Sequence, residues 1–237
     1  MSPARAFALS DCGGLAVRVA GTEAMLRCSG ALWLAADATL VVADLHFEKG
    51  SSFAARGQLL PPYDTRETLD RLEREIEALA PTRLVFLGDS FHDAGGEDRL
   101  PADDARRIAA LALGRELIWA VGNHDEDGPR ALPGEVVDEL EIAGLVLRHE
   151  PQAGSQPGEV AGHQHPAARV SSGRGTVRRR CFVTDGQRLI LPAFGAFTGG
   201  LNILDVAFAG LFSAAPLAAA LGAQRVHAVG WRSLRPD

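Results

Sequence analysis

The stretch Leu84-Val-Phe-Leu-Gly-Asp-Ser90 is a short apolar run that ends on an acidic side chain, Asp89. Four other segments carry polar side chains, and three of them directly follow an apolar run of β type. Strand ends of the same polarity lie side by side in an α/β sheet, and ligands bind in the crevice beyond them. We therefore expect these side chains to meet around one point. The four segments are Asp44-Leu-His46, Gly122-Asn-His-Asp125, His149-Glu150 and Gly162-His-Gln-His-Pro166.

The side chains that would meet there have the chemistry of metal ligands. They include two aspartates, an asparagine and four histidines, although the whole chain contains only seven histidines. Mixed nitrogen and oxygen ligands without cysteine suit Mn²⁺, Fe or Zn²⁺. The sequence therefore predicts a hydrolase with two metal ions.

Length and composition predict one globular domain over residues 1–237. The chain is 46% hydrophobic and 23% charged, as ordinary folded proteins are. Its three cysteines form neither a disulfide framework nor a CxxC pair, which indicates free thiols in a reducing cytoplasm. Residues 1–10 carry too short an apolar stretch for a signal peptide. Residues 206–224 lack charge, and we expect a buried helix or strand–turn–helix there rather than a membrane span.

The charge of the chain is unevenly distributed. The formal net charge is −6, but residues 161–190 contain six arginines against one acid, Asp185, which gives this segment a charge of +5. Such a strip can contact phosphate groups, or it can be the solvated face of a hairpin, and both interpretations stay open. The six residues are Arg169, Arg174, Arg178, Arg179, Arg180 and Arg188.

The first half of the chain has the alternating pattern of an α/β fold. Short strands are predicted within residues 16–34, and a fully apolar strand is predicted at Leu40–Ala43. Apolar side chains recur at helical spacing up to Leu79, and we expect Asp64 to cap this helix. The remaining predicted elements are strands at Leu84–Leu87 and Leu117–Val121 and a helix at Pro101–Leu113.

The second half predicts short and mainly antiparallel strands, which would form a second sheet. A hairpin signal occurs at Ala143-Gly144, and no helical pattern returns before Ala209–Leu221. The predicted strands are Val136–Leu140, Leu145–Leu147, Val160-Ala161, Ala168–Val170, Val177–Val183 and Arg188–Leu191.

Two of the polar motifs place ligand-type side chains two residues apart. In an extended segment such side chains point the same way, so Asp44-x-His46 and His163-x-His165 could each present two ligands. Within Gly122–Asp125, the Asp125 carboxylate could fix the tautomer of His124. The plainer interpretation of that segment is an ordinary turn, in which asparagine and aspartate serve turn chemistry.

The other histidines are weaker signals when taken singly. His149 could be a satisfied histidine at a strand edge. His92 could lie beside the crevice or in a solvated loop, and His227 is expected to be structural in an apolar strand. The joint pattern favours a site, because each polar segment falls at a strand end.

Taken in order, the five polar segments resemble the motif series of the calcineurin-like metallophosphoesterase superfamily over roughly residues 40–166. The resemblance implies a four-layer α/β/β/α sandwich of two mixed sheets. It also implies that His124 contacts phosphate and acts as general acid, supported by Asp125. The implied ligands of one metal ion are Asp44, His46, Asp89 and His165. Those of the second are Asp89, Asn123, His149 and His163, so that Asp89 bridges the two ions.

Three stretches are similar to a narrower family, the bacterial ligase-associated DNA damage response phosphoesterases. They are Asp44-Leu-His-Phe-Glu-Lys-Gly50, Gly88-Asp-Ser-Phe-His92 and Leu191-Pro-Ala-Phe-Gly-Ala-Phe-Thr-Gly-Gly200. The resemblance implies a cytoplasmic DNA phosphodiesterase or endonuclease that prefers single-stranded DNA and is associated with a DNA ligase and a helicase in DNA repair. It also favours Mn²⁺ as the metal. Candidate substrate contacts are His92, Arg148 and Arg169.

Two alternatives to a DNA-cutting enzyme stay open. The net negative charge and the single tyrosine favour a phosphoesterase for a nucleotide or a phosphorylated metabolite. A non-catalytic scaffold is disfavoured, because loss of catalysis would have eroded at least one ligand position.

Overall fold

The computed structural model describes residues 8–9, 12–172 and 175–237. Its first sheet is mixed and has eight strands within these residues, which lie side by side in chain order. The strands up to β5 pair antiparallel, and β5 to β8 pair parallel. The strands are β1 (Ala8–Leu9), β2 (Leu15–Val19), β3 (Thr22–Leu26), β4 (Leu32–Leu34), β5 (Thr39–Ala43), β6 (Arg83–Leu87), β7 (Glu116–Ala120) and β8 (Glu135–Val137).

Within the part of the chain that the structure describes, the α-helices all lie between strands of the first sheet. They are α1 (Lys49–Ala55), α2 (Asp64–Leu79), α3 (Gly96–Arg99) and α4 (Ala102–Leu111). Asp64 is the first residue of α2 rather than its cap, and its carboxylate instead accepts a hydrogen bond of 3.1 Å from the amide of Gly50 in α1. The predicted strand–helix–strand alternation from β5 to β7 is therefore present.

The second sheet is also mixed and has nine strands within the described residues. Most of its pairs are antiparallel, but β11 pairs parallel with both β10 and β14, and β12 with β15. The predicted hairpin is the β9–β10 pair, with Ala143 and Gly144 both at positive φ. The strands are β9 (Glu139–Ile142), β10 (Leu145–Arg148), β11 (Glu159–Ala161), β12 (Pro166–Ser172), β13 (Gly175–Thr184), β14 (Leu189–Ile190), β15 (Leu201–Asn202), β16 (Leu217–Leu221) and β17 (Val226–Gly230).

The two sheets pack face to face over a buried apolar core. Val17 and Val85 of the first sheet belong to the same core as Leu147 and Phe182 of the second. A second core joins the outer face of the first sheet to α2 and α4. A third core covers the outer face of the second sheet, where the short 3₁₀ helix Val206–Phe208 and nearby loops take the place of an α-helix. The predicted fold class, an α/β fold of two mixed sheets with helices, is confirmed.

Two predicted elements are wrong in detail. The helix predicted at Ala209–Leu221 is absent, because Leu217–Leu221 instead forms strand β16 between β13 and β17. Alanine favours helices intrinsically, but pairing on both edges overrides that weak preference. The strand predicted at Val136–Leu140 is divided between β8 and β9, which belong to different sheets. Among the residues described here, no helix is long and apolar enough to cross a membrane.

Candidate metal centre

The polar segments lie where strands of both sheets end. Asp44 follows β5, Asp89 follows β6, and His163 follows β11. Several of these residues have left-handed backbone conformations, which cost about 1–3 kcal/mol each in a non-glycine residue and persist where the surroundings fix them. The expectation that Asp44-x-His46 and His163-x-His165 are extended is therefore wrong, and sharp turns direct their side chains. The φ values are 54° at Asp44, 45° at His46, 46° at Asp89, 65° at His163 and 44° at His165.

One group of ligand-type side chains gathers around Asp44. The Nε2 atoms of His46 and His165 lie 3.2 Å apart, and Nε2 of His165 lies 3.3 Å from Oδ1 of Asp44. Oδ2 of Asp89 lies 3.8 Å from Nε2 of His46. One potential ligand atom from each residue lies within 4.8 Å of all the others, so the four could hold one metal ion.

A second group lies beside the first and shares Asp89 with it. Nε2 of His149 is 3.3 Å from Oδ1 of Asp89 and 3.2 Å from Nδ1 of His163. The side-chain oxygen of Asn123 lies 3.1 Å from His149 and 2.9 Å from His163. All seven residues that the resemblance implied as ligands are thus in two adjoining groups.

The chemistry of these side chains fits two divalent cations. In each group two imidazole nitrogens face each other at 3.2 Å, an arrangement that a shared cation satisfies. The Asp44 and Asp89 carboxylates are almost completely buried, and buried charges need a counter-charge. The nitrogen and oxygen ligands include no thiolate, which matches borderline and hard divalent metals.

Protonation in the site is set by burial and by the neighbouring charges. Burial opposes the charge on Asp89, but its hydrogen bond to His149 holds the pKa of this carboxyl below its usual range. Burial likewise opposes the charge on His149, yet Asp89 and Asp44 raise the pKa of His149 to about 9. Burial and the neighbouring His165 lower the pKa of His46 to about 2. His46 is therefore a neutral imidazole, the form that binds metals.

Two glycines allow the strand ends to approach closely. A Cβ atom on Gly122 would overlap the backbone nitrogen and Oδ1 of Asp89, and one on Gly88 would overlap the His149 ring. Any larger residue at either position would push the ligands apart. The glycines of these motifs therefore serve the geometry of the site as much as the turns.

His124 is turned so that one ring nitrogen faces the centre. Its Nδ1 lies 2.8 Å from the carbonyl oxygen of His92, which can only accept, so Nδ1 carries a proton. Nε2 then faces Asp89, with Oδ2 at 3.9 Å. The carbonyl of His92 therefore fixes the tautomer of His124, a role that was predicted for Asp125.

Asp125 instead joins two loops. Its Oδ2 accepts hydrogen bonds from the amides of Ser90 and Phe91, at 2.8 and 3.1 Å, and its Oδ1 accepts one of 3.1 Å from Gly122. Among the described residues it makes no hydrogen bond to the His124 ring. Burial and the charge of Asp89 raise the pKa of Asp125 to about 6 despite these hydrogen bonds. Its three backbone partners give no signal in the sequence.

His92 lies at the edge of the centre. Its ring stacks on His124 with centroids 5.5 Å apart, and its Nδ1 lies 3.4 Å from Nδ1 of His46. Burial and the positive charge of Lys49 lower the pKa of His92 to about 4. The structure therefore places His92 beside the crevice rather than in a solvated loop.

Both arginines predicted to contact substrate have protein partners, and Arg148 also lines the pocket that contains Asn123 and His149. Arg148 forms an ion pair of 2.8 Å with Glu139, and Arg169 donates to the carbonyl oxygen of Pro236. His227 lies in β17 and belongs to none of the ligand groups.

The basic strip is smaller than its sequence suggests. Arg188 is completely buried and ion-paired with Glu159 at 2.8 Å. Arg180 also turns inward, donates to the carbonyl of Ala193, and has its pKa lowered to about 10 by burial and the nearby Arg71. Arg174 lies outside the described residues. Arg169, Arg178 and Arg179 remain on the hairpin of β12 and β13.

Comparison with known proteins identifies the family to which the chain belongs. Residues 38–178 match the family of calcineurin-like phosphoesterases. The chain belongs to this family and is a metal-dependent phosphoesterase that uses divalent metal ions.

The solved structures include a close relative. The nuclease MPE of Pseudomonas putida is 31% identical, aligns over 91% of this chain and 100% of its own, and superposes with a TM-score of 0.72. Weaker matches are AQ665 of Aquifex aeolicus, a protein of unknown function (21% identity, 49% and 62% coverage, TM-score 0.36), and the phosphoesterase Yfce of E. coli (15% identity, 81% and 98% coverage, TM-score 0.40). No curated protein matches the sequence significantly.

Proposed function

We propose that the protein is a phosphodiesterase with two metal ions that hydrolyses DNA, acting as an endonuclease with a preference for single strands. The observation that carries this proposal is the pair of adjoining ligand groups that share Asp89. The protein is 31% identical over 91% of its chain to a nuclease, which supports nucleic acid as the substrate.

We assign the metal ligands as the resemblance implies them. These residues would hold divalent cations, whose chemistry would be to neutralise phosphate charge and to activate water at neutral pH. Mn²⁺ is the proposed metal, with Fe or Zn²⁺ as the alternatives, and the absence of thiolate ligands agrees with Mn²⁺. The first set is Asp44, His46, Asp89 and His165, and the second is Asp89, Asn123, His149 and His163.

His124 is the proposed general acid. Its Nδ1 proton is held by the His92 carbonyl, so Nε2 is the atom that faces the reacting groups. In the doubly protonated imidazolium, Nε2 carries the second proton, contacts phosphate and gives that proton to the leaving oxygen. Asp125 keeps the loops that carry Asp89 and His124 together through its three backbone hydrogen bonds. His124 therefore acts at the reacting atoms, whereas Asp125 positions the loops that carry the catalytic groups.

The cellular role is proposed from the resemblance. The three stretches shared with the ligase-associated phosphoesterases support a cytoplasmic role in DNA repair, in association with a DNA ligase and a helicase. We further propose that residues 1–237 form a single domain. The cores shared between sheets and helices support this assignment.

A small-molecule phosphoesterase is the second candidate. The net charge of −6 favours it, because a negatively charged protein repels a polyanion. Such an enzyme would hydrolyse aryl phosphoesters or nucleotides and leave circular single-stranded DNA intact.

The test combines metal analysis with cleavage of circular and linear single-stranded DNA and of a bis-aryl phosphodiester. We expect about two metal ions per chain and cleavage of the circular DNA, and Asp89→Asn should lose both metal and activity. Asp98→Asn, which changes an exposed carboxylate paired with Arg130, is the matched control and should retain both. Full activity of Asp89→Asn would show that Asp89 does not bridge two metal ions. Circular DNA that stays intact would favour the small-molecule phosphoesterase.

A further inference from the structure

A loop near the C-terminus is hydrogen-bonded to the backbone of the first ligand group. We name residues 193–200 the closing loop. At its start, the amides of Phe194 and Gly195 donate to the carbonyl oxygens of Ala43 and Asp44, at 2.8 and 3.1 Å. Directly after its end, the amide of Leu201 donates to the carbonyl of His165 at 3.0 Å. The closing loop is therefore tied on both sides to residues of the metal centre.

The closing loop is also braced from beneath. Arg71 donates to the carbonyl of Phe194 at 2.6 Å, and Arg180 donates to that of Ala193 at 2.7 Å. Thr198 closes a tight turn by donating through its hydroxyl to the carbonyl of Gly195 at 2.9 Å. A loop held in this way loses little conformational entropy when a ligand binds.

Phe197 stands out at the tip of this braced loop. Its side chain is 46% exposed, whereas Phe194, three residues earlier, is completely buried. Its φ is 57°, a left-handed conformation that a bulky residue rarely adopts and that points to function when the surroundings enforce it. Phe197 is two residues from Gly195, so their Cα atoms are at most about 7 Å apart. An aromatic side chain is thus presented to solvent close to the metal centre.

Basic side chains lie beside the closing loop. The β12–β13 hairpin starts directly after His165, and Arg169 pairs in register with Arg178, so both side chains lie on one face of the hairpin. Arg178 donates to the carbonyl of Gly200, the last residue of the closing loop, and its only ion-pair partner among the described residues is Asp237 at 3.1 Å. Two guanidinium groups thus lie near the same loop that presents Phe197.

We propose that the closing loop and this face of the hairpin bind the strand of nucleic acid that leads into the metal centre. Phe197 stacks on one base, and Arg178 and Arg169 contact backbone phosphates. Single strands are bound by this combination of an aromatic platform and a cationic track, since every base has a π-face. The inference deepens the proposed function and rests on it.

The first test measures the KM for cleavage of a single-stranded oligonucleotide. Loss of one stacked base raises the KM by about 5- to 150-fold, so Phe197→Leu should fall in this range. Phe197→Trp keeps the aromatic face and should retain a KM near that of the wild type. Leu113→Ala, which removes another exposed apolar side chain, is the control and should change nothing. A wild-type KM for Phe197→Leu would overturn the stacking role.

A second test needs no variant of the loop. Wild-type protein is assayed with oligonucleotides in which each nucleotide in turn is abasic. One position should raise the KM about as much as Phe197→Leu, and in that variant the same abasic nucleotide should have little further effect. A flat abasic profile, with DNA still cleaved, would overturn the inference and leave the proposed function intact. Hydrolysis of a bis-aryl phosphodiester without any cleavage of DNA would instead overturn the proposed function.

The hairpin has its own matched pair of variants. Neighbouring residues of a strand point to opposite faces, so Arg179 lies on the other face from Arg178. Arg178→Gln should reduce the slope of log Kd against log salt by about 0.7 for a single-stranded oligonucleotide, the value for one lost phosphate contact. Arg179→Gln should leave the slope unchanged. Equal slopes for Arg178→Gln and the wild type would remove this contact.

Discussion

Asp125 accepts hydrogen bonds from the backbone amides of Ser90, Phe91 and Gly122. One carboxylate thereby joins the loop after β6, which carries Asp89, to the loop after β7. Both of its oxygens are used as acceptors, so no amide side chain can replace it without turning an N–H group towards a backbone donor. The residue is thus held in its ionised acceptor form by geometry, although burial raises its pKa to about 6.

We expect Asp125→Asn to lower the free energy of unfolding by about 1–3 kcal/mol, because it leaves a buried backbone donor unpaired. Phosphodiesterase activity should fall as well, since the two loops lose their common anchor. Chemical denaturation and initial rates measure these effects. Asp127→Asn changes an exposed carboxylate two residues away and is the control. Equal stability of Asp125→Asn and wild type would show that the three hydrogen bonds are dispensable.

The buried pair of His149 and Asp89 predicts a pH dependence for the metal-free protein. The pKa of His149 is raised to about 9 in the folded state, from about 6.5 when unfolded, so its stabilising charge is present below pH 6.5 and is lost as the pH rises through 9. The difference corresponds to about 3 kcal/mol. Denaturation with a chelator present should therefore show stability falling between pH 6.5 and 9.

His149→Gln should abolish that slope, whereas His227→Gln, which changes an exposed histidine of β17, should keep it. A wild-type stability that stays constant from pH 6.5 to 9 would contradict the raised pKa of His149. The lowered pKa of Asp89 acts at the other end of the scale, because its contribution is lost only as the pH falls below the usual carboxyl range.

At the scale of elements, the closing loop fits tightly against the turn after β5. A Cβ atom on Gly195 would overlap the carbonyl group of Leu45, whereas one on Gly199 would meet no atom within 4 Å. The two glycines lie in the same loop, but Gly195 is buried against the backbone that carries Asp44 and His46, whereas Gly199 is exposed. Substitution of Gly195 therefore tests how tightly the loop fits, and the same substitution of Gly199 tests the effect of reduced backbone flexibility alone.

We expect Gly195→Ala to destabilise the protein by about 1–3 kcal/mol, the usual range for overpacking, and to weaken metal binding at the first ligand group. Gly199→Ala should change neither property. Thermal melting and metal titration followed by calorimetry measure the two effects. Similar behaviour of the two variants would mean that the loop adapts freely to the turn after β5.

For the whole molecule, bound metal should contribute to stability by mass action. The ligands come from the ends of strands in both sheets, so the site exists only in the folded chain. Metal at 100 times its Kd adds about 2.7 kcal/mol to the free energy of unfolding. For a chain of this size we expect a chelator to lower the Tm by roughly 5–10 °C, and added Mn²⁺ to restore it. An unchanged Tm would indicate that the folded chain does not hold the ions.

Much of this arrangement could be predicted because each polar segment follows an apolar strand. That pattern predicts that Asp89, Asn123 and His149 lie near one crevice. The left-handed turns at Asp44 and His46 could not be predicted, since alternation assumes an extended chain. Strand β16 could not be predicted for a related reason, because its alanines form a strand only when β13 and β17 flank them.

The inward direction of two arginines in the second half could not be predicted from the sequence either. Six arginines among thirty residues suggested one basic strip, but Arg180 and Arg188 turn inward to backbone and carboxylate oxygens. Side-chain direction within a strand follows its pairing register, and no local pattern specified that register for β13.

The way the closing loop is tied down has a consequence for biosynthesis. Asp44 leaves the ribosome about 150 residues before Phe194. The amide of Phe194 is the first in the closing loop to donate to the backbone beside Asp44, at the carbonyl of Ala43. A nascent chain that ends at His165 therefore contains every proposed ligand. It still lacks the amides of Gly195 and Leu201, which donate to the carbonyls of Asp44 and His165. Phosphoesterase activity should accordingly arise late in translation, once β15 has emerged and paired with β12.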